Sequence, residues 1–494
     1  MPAKCRLIPK VPTQIPGLDE VLEGGLPRGR TTLVSGGPGS GKTVLGLDFL
    51  CRGAAAGEPG VFVTFEERTE AIRTNALSMG WDLAALEKAG KVAIVEARLY
   101  GEEVISGEFD IQGILAIVEG HAKRIRAKRV VMDALDVLLR VFSDARRERS
   151  ELYRIHDWLI DHKLTSILSV KAQRDALDGD MVHQYEFLDF MADCVIRLDH
   201  RVVGQVATRR LRVVKYRGSG FGTNEYPYVI GERGIVLFPV SKTELTHQPL
   251  GPKLSSGLAG LDAMLDGGFR RAACILIAGS SGTGKTTLAC AFARAACRRN
   301  EKVLYLNFEE SHEAMAAGML SAGIDLRPAI RSHRLMVQTA LPEAMGTDGH
   351  LVRALEALDS FKPDHLILDA ISACIRMGSQ QAAFDYLMRL VGVVKERGIT
   401  CILTNQITDP LGCGEEISGL GFSSVVDAVV HLRFVDAGQE IGRQVLVIKA
   451  RGSGHSNRRE AFYITERGIE FPNNLRLPSA RAGEAADKAK DGEQ

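Results

Sequence analysis

Two octapeptides carry the clearest chemistry in the chain, "GGPGSGKT" at 36–43 and "GSSGTGKT" at 279–286. Both meet the pattern GxxxxGK[ST], through Gly36, Gly41, Lys42 and Thr43 and again through Gly279, Gly284, Lys285 and Thr286. Glycines at this spacing let backbone N–H groups converge on a phosphate at a helix N-terminus. The lysine neutralises β/γ-phosphate charge and the threonine hydroxyl ligates Mg²⁺. Gly37, Gly39 and Ser40, and then Ser281, Gly282, Thr283 and Thr287, complete the candidate nucleotide contacts. A plain glycine turn is the alternative. The context argues against it, because an apolar strand pattern leads into each loop and a helical pattern leads out. Nucleoside triphosphate binding follows.

Other polar residues recur around these loops. Asp133 and Asp369 each end an apolar run, where a carboxylate can hold a Mg²⁺ water shell or simply cap a loop. Thr43, Asp133, Thr286, Glu309 and Asp369 form the candidate metal set. The doublets Glu66–Glu67 and Glu309–Glu310 follow the second apolar run of each half. A carboxylate there can orient or deprotonate a nucleophile. Acidic residues also favour the first turn of a helix, which is the plainer reading. Identical placement relative to the two lysines favours catalysis. Lys215 with Arg217, and Lys449 with Arg451, sit before a Gly-Ser-Gly turn, two residues apart and so on one strand face. They are either solvated edge charges or a clamp on a neighbouring subunit's nucleotide. Both readings stand at this level.

The elements that must position these residues are written twice. "PGLDEVLEGGLPRGRTTLVSGGPGSGKT" (16–43) matches "AGLDAMLDGGFRRAACILIAGSSGTGKT" (259–286), with Lys42 and Lys285 243 residues apart. "VFVTFEE" and "VLYLNFEE" keep that interval; "RVVMDA" and "HLILDA" are 236 apart, "VVKYRGSG" and "VIKARGSG" 234. The chain is a tandem duplication. Alternating apolar strands and helical segments predict two mostly parallel α/β sheets flanked by helices. The spacing predicts a first domain over 1–247, a second over 248–475, and a charged, Ala-rich, disordered tail over 476–494.

Bulk composition narrows the class. The 62 basic and 61 acidic residues nearly cancel, which gives no support for a polyanion-binding surface. "TRRLR" (208–212) is the one compact basic run, on an expected strand. Nine cysteines without a CxxC pair read as reduced, buried thiols of a cytoplasmic protein. The N-terminus lacks a signal-peptide apolar run, and no stretch reaches membrane-spanning length.

The duplicated "GLDE…GG", the two loops, "VTFEE" with "NFEE", and "KYRGSG" with "KARGSG" resemble the KaiC family over about residues 12–472. These are double RecA-like ATPases of circadian clocks and their non-clock relatives. The resemblance implies a homohexamer of two stacked rings with ATP and Mg²⁺ at subunit interfaces. It implies an ATPase in the first half and an autokinase with autodephosphorylation in the second. Glu66 and Glu309 would be proton acceptors, with Glu67 and Glu310 their partners, and the Lys/Arg pairs would reach the adjacent protomer's nucleotide. KaiB-like or signalling proteins are the implied partners, whereas the tail does not match the segment that engages KaiA. Ala322 stands where the family stacks a tryptophan on adenine.

The family's phosphorylated hydroxyls map to "GFSSVVDAVVHL", as Ser423 and Ser424, with Ser418 nearby. Ser424 with Asp427 also fits a helix capping box. At an interval of 234, Ser423 falls on Asp189, Ser424 on Phe190 and Ser418 on Gln184. The first half thus offers no hydroxyl there, so hydrolysis is expected in the first half and self-phosphorylation in the second. The rivals are a RecA-type DNA recombination ATPase, which shares the loops, and a nucleotide-gated scaffold without kinase activity.

Overall fold

The computed structural model describes residues 8–98, 111–142, 144–174, 181–182, 187–203, 206–238, 248–407, 424–436 and 441–471. Ser418, Ser423, Gln184 and the tail from 476 lie outside the described residues. The chain divides into two compact units, Met1–Val203 with Ala207–Thr243, and Glu244–Gln494 with Gly204–Val206.

The first unit holds a nine-stranded sheet. In spatial order its strands are Val92–Glu96, Gly60–Thr64, Arg129–Asp133, Thr165–Lys171, Thr31–Gly36, Cys194–Val203, Val206–Tyr216, Glu225–Gly231 and Gly234–Leu237. The first six run parallel and the last three close the sheet with antiparallel turns. The second unit repeats this order with Leu335–Thr339, Val303–Asn307, His365–Asp369, Thr400–Gln406, Cys274–Gly279, Ala428–Asp436, Ile441–Ala450, Glu460–Thr465 and Gly468–Glu470. Each unit is a RecA-like α/β domain, and together they are a tandem pair.

Burial explains the strand compositions. Val34, Phe62 and Val131 pack on one face with Leu45 and Phe49 of the Lys42–Ala55 helix. Their neighbours Leu33, Val61, Val63 and Val130 point to the other face, against Leu115, Val118, Leu152 and Leu159. Both faces are covered, so the strands read as continuous apolar runs rather than alternating ones. The antiparallel strand Val206–Tyr216 does alternate: Leu211 and Val213 are buried while Arg212 and Val214 are exposed.

The start of the third parallel strand is anchored differently in the two units. Arg129, 1% exposed, donates to the Glu58 carboxylate, the Phe49 carbonyl and the Pro12 carbonyl. At the matching place His365, wholly buried, meets Glu301 through Nε2 at 3.0 Å and stands edge-on to the Phe292 ring.

Candidate nucleotide sites

Each loop lies at the carboxyl end of the strand where the chain reverses its winding direction: Thr31–Gly36 is flanked by Thr165–Lys171 and Cys194–Val203. Open α/β sheets hold ligands there. Gly36 ends the buried strand, and a Cβ on it would meet Ser40 Oγ at 2.5 Å and the Leu198 carbonyl at 2.7 Å. Gly279 is confined in the same way by Thr283 Oγ1 and the Leu432 carbonyl. The hydroxyls that crowd these glycines close the loops. Ser40 Oγ donates to the Gly37 carbonyl and Thr283 Oγ1 to the Ser280 carbonyl, both at 2.8 Å. Gly41 and Gly284, at φ 86° and 102°, then turn the chain into the Lys42–Ala55 and Lys285–Arg298 helices. Gly39 and Gly282 are also left-handed.

The lysines lie over their own loops. Lys42 Nζ donates to the Gly36 and Gly37 carbonyls at 2.8 and 3.1 Å, and Lys285 Nζ to Ser280 at 2.9 Å. Burial pulls both ammonium groups below their ordinary range. Asp133 and Asp136 oppose that shift at Lys42, and Asp369 and Glu309 oppose it at Lys285. Thr43, Thr286 and Thr287 occupy the first helical turns, with Ser281 exposed on the second loop.

The two strand-ending aspartates are buried and have different partners. Asp133 accepts from Thr43 Oγ1 at 2.8 Å and from Ser169 Oγ at 2.6 Å. Its burial raises the carboxyl pKa, against those two bonds and Lys42. Asp369 accepts from Thr404 Oγ1 and, at 2.7 Å, from the Tyr305 hydroxyl.

A backbone bond from Phe65 to the Asp133 carbonyl, repeated from Phe308 to Asp369, brings each glutamate doublet beside its aspartate. The doublets sit on turns ahead of the helices Thr69–Leu77 and His312–Ser321, not in their first turns. The helix dipole therefore does not account for them. Thr64 and Asn307 build these turns: Thr64 Oγ1 accepts from Glu67 N, and Asn307 Oδ1 accepts from the N–H groups of Glu309 and Glu310. Glu66 is exposed, and its charge acts on Lys42 and Asp133. Glu67 is raised by burial, then by Asp133 and Glu66, and Glu309 by burial and then Asp369.

Lys215 and Arg217 converge on one short segment. Lys215 Nζ donates to the Asp189 and Phe190 carbonyls at 2.6 and 2.9 Å, and Arg217 Nη2 to Phe190 at 2.5 Å. In the second unit Lys449 Nζ donates to Val426 and Arg451 Nη2 to the Ser424 carbonyl, at 2.8 and 2.9 Å. Burial lowers both lysines, Arg217 and Arg451 adding to it. No α-helix begins at Ser424 among the described residues, so the capping-box reading of Ser424 with Asp427 is overturned. Asp427 is engaged elsewhere, accepting from Cys274 N at 2.9 Å and pairing with Lys395 at 2.9 Å and Arg451 at 3.6 Å.

Two arginines reach the loops without having been candidates for them in the sequence, although Arg209 lies in the basic run 208–212. Arg209 Nε donates to the Gly39 carbonyl at 3.2 Å, and Arg443, 234 positions on, donates to Gly282 at 3.3 Å. Arg443 also lies over the Phe434 ring, 5.4 Å from its centroid. The repeat held the signal, since both arginines occupy matching places on the strand before the Lys/Arg pair.

The donor sets suit a magnesium nucleotide. Among the described residues no group of three His, Cys, Asp or Glu side chains could hold a metal alone. Mg²⁺ does not need one, because it takes one or two protein oxygens and completes its shell with water and phosphate. No helix of the described residues is long and apolar enough to cross a membrane, and their seven cysteines are free thiols.

Duplicated RecA-like sheets, each with a glycine loop, a strand-ending aspartate and a glutamate doublet, define a tandem P-loop ATPase. The family model of the KaiC ATPase matches residues 11–242 and again 254–476. The chain belongs to the KaiC family. It is 36% identical to the circadian clock protein KaiC2 of Synechocystis sp., over 94% of this chain and 81% of that one. It is 32% identical to KaiC3 of the same organism, over 95% and 93%. With the circadian clock oscillator protein KaiC of Synechococcus elongatus it shares 33% identity over 95% of this chain and 90% of the relative.

Proposed function

We propose that the chain is a regulatory ATPase of clock type that hydrolyses ATP in its first domain (1–247) and phosphorylates its own serines in its second (248–475). The assembly is a homohexamer of two stacked rings in which Lys215 with Arg217, and Lys449 with Arg451, reach an adjacent protomer's nucleotide. Lys42, Thr43 and Asp133, and Lys285, Thr286 and Asp369, hold the Mg·ATP. Bound Mg²⁺ neutralises phosphate charge. Glu66 and Glu309 take the proton of the attacking group, water in the first half and a serine hydroxyl in the second, with Glu67 and Glu310 beside them. A raised carboxyl pKa at Glu309 suits a group that must gain and lose a proton.

The observation that carries this reading is an asymmetry within a repeat. Both halves retain the loop, the aspartate and the doublet, but the Arg217 contact falls on Phe190 and the Arg451 contact on Ser424. A hydroxyl is present at one and absent from the other. Phosphosite mass spectrometry after incubation with Mg·ATP tests it. Phosphate on Ser423 or Ser424 is expected; phosphate on neither, in protein that hydrolyses ATP, removes the autokinase assignment.

A further inference from the structure

The two strand-ending aspartates have one partner of the same kind, a hydroxyl on the next strand, and differ in the other. Ser169 and Thr404, at matching places on the adjacent strand, each donate to one carboxylate oxygen, Oδ1. The second oxygen of Asp133 accepts from Thr43, the loop's own threonine, at 2.8 Å. The second oxygen of Asp369 accepts from Tyr305 at 2.7 Å, and among the described residues Thr286 makes no hydrogen bond to it. Tyr305 is wholly buried in the Val303–Asn307 strand, and its place in the first half is taken by Phe62, which has no hydroxyl.

A threonine that gives its proton to a carboxylate keeps its lone pairs directed at a cation, and the same bond fixes the carboxylate for the cation's water shell. Thr43 and Asp133 are ordered in this way. Thr286 and Asp369 are not, and a phenol occupies the oxygen that corresponds to the one Thr43 uses. We infer that Tyr305 is a positioning residue that takes this carboxylate oxygen from Thr286 and thereby weakens divalent-cation binding at the second loop relative to the first. The inference rests on both loops being metal–nucleotide sites; it does not depend on which serine is phosphorylated.

The test uses the full-length chain with ADP and Mn²⁺ as the probe, free Mn²⁺ being read by electron paramagnetic resonance. Lys42→Ala and Lys285→Ala assign each class of bound Mn²⁺ to its loop. The wild type should show a tighter class lost with Lys42→Ala and a looser class lost with Lys285→Ala. Tyr305→Phe should tighten the looser class about tenfold, the lower end of effects seen for residues behind metal ligands. ADP affinity measured in chelator should stay unchanged, which a general loss of structure would not allow. Phe62→Tyr approaches from the other side and should loosen the tighter class by a similar factor. Unchanged or weaker Mn²⁺ binding in Tyr305→Phe, with both classes present, overturns the inference alone. If no ADP-dependent Mn²⁺ binds at either loop, the metal–nucleotide reading falls and the inference falls with it.

Discussion

Arg451 Nη2 donates to the Ser424 carbonyl at 2.9 Å, and Arg217 makes the same contact with Phe190. One basic side chain thus touches the backbone of the candidate acceptor in one half and of a non-acceptor in the other. A mixing experiment follows from placing that arginine beside a neighbour's nucleotide. Subunits with Lys285→Ala and intact serines should be labelled when assembled with Ser423→Ala/Ser424→Ala subunits, and neither variant should be labelled alone. Labelling of the serine-free subunits in mixed rings would show that another residue is the acceptor.

Exchange of the glutamate doublets should separate the two activities. Glu66→Gln with Glu67→Gln should lower ATP hydrolysis by about a hundredfold or more while serine phosphorylation continues, because an amide keeps the shape and cannot accept a proton. Glu309→Gln with Glu310→Gln should do the reverse. Loss of both activities from either pair, with assembly intact by light scattering, would contradict the division of labour.

The acid limb of the second activity should be displaced upward. Burial and Asp369 raise Glu309, so its carboxyl holds a proton to higher pH than an ordinary glutamate. A base must be ionised to act, so phosphorylation should fall as pH drops through that raised value, above the usual carboxylate range near 4.5. Single-turnover phosphorylation followed against pH should show the acid limb above that range, and a limb within it would contradict the role given to Glu309.

The anchor of the acceptor segment should be costly to remove. Lys395 is 8% exposed, pairs with Asp427 at 2.9 Å and donates to the Val425 carbonyl at 3.0 Å. Lys395→Met leaves the buried Asp427 carboxylate with only the half-exposed Arg451 at 3.6 Å and should destabilise the second unit by about 3 kcal/mol. Asp193, in the matching place, pairs instead with Arg30, whose side chain is 41% exposed. Arg30→Met should cost about 1 kcal/mol or less. Equal losses in urea denaturation would mean that burial does not decide the difference.

The loops were legible because backbone geometry demands them. Only glycine can end the strand against Leu198 and turn at Gly41, so the residue types announce the structure. The strand order was legible only as a class. The contacts of Arg209 and Arg443 with the loops were not legible, because their reach depends on how the antiparallel strands pass the loops, which no local spacing encodes. The apolar run that holds Tyr305 gives no sign that its hydroxyl meets a carboxylate on the next strand. Ser424 with Asp427 misled for a tertiary reason: Cys274 N and Lys395 claim the carboxylate that a capping box would use.

The anchors at the start of the third strand give the two halves different tolerance of acid. Arg129 keeps its charge throughout the accessible range. His365 is held below the ordinary imidazole value by burial, with Glu301 and Asp364 acting against that and Arg271 adding to it. A histidine kept neutral by its fold stabilises it above the unfolded value near 6.5, and that contribution is lost as pH falls below it. Mild acid should therefore melt the duplicated chain unevenly. Thermal scans at falling pH should split into two transitions, the second unit leaving first, and His365→Gln should draw them together again.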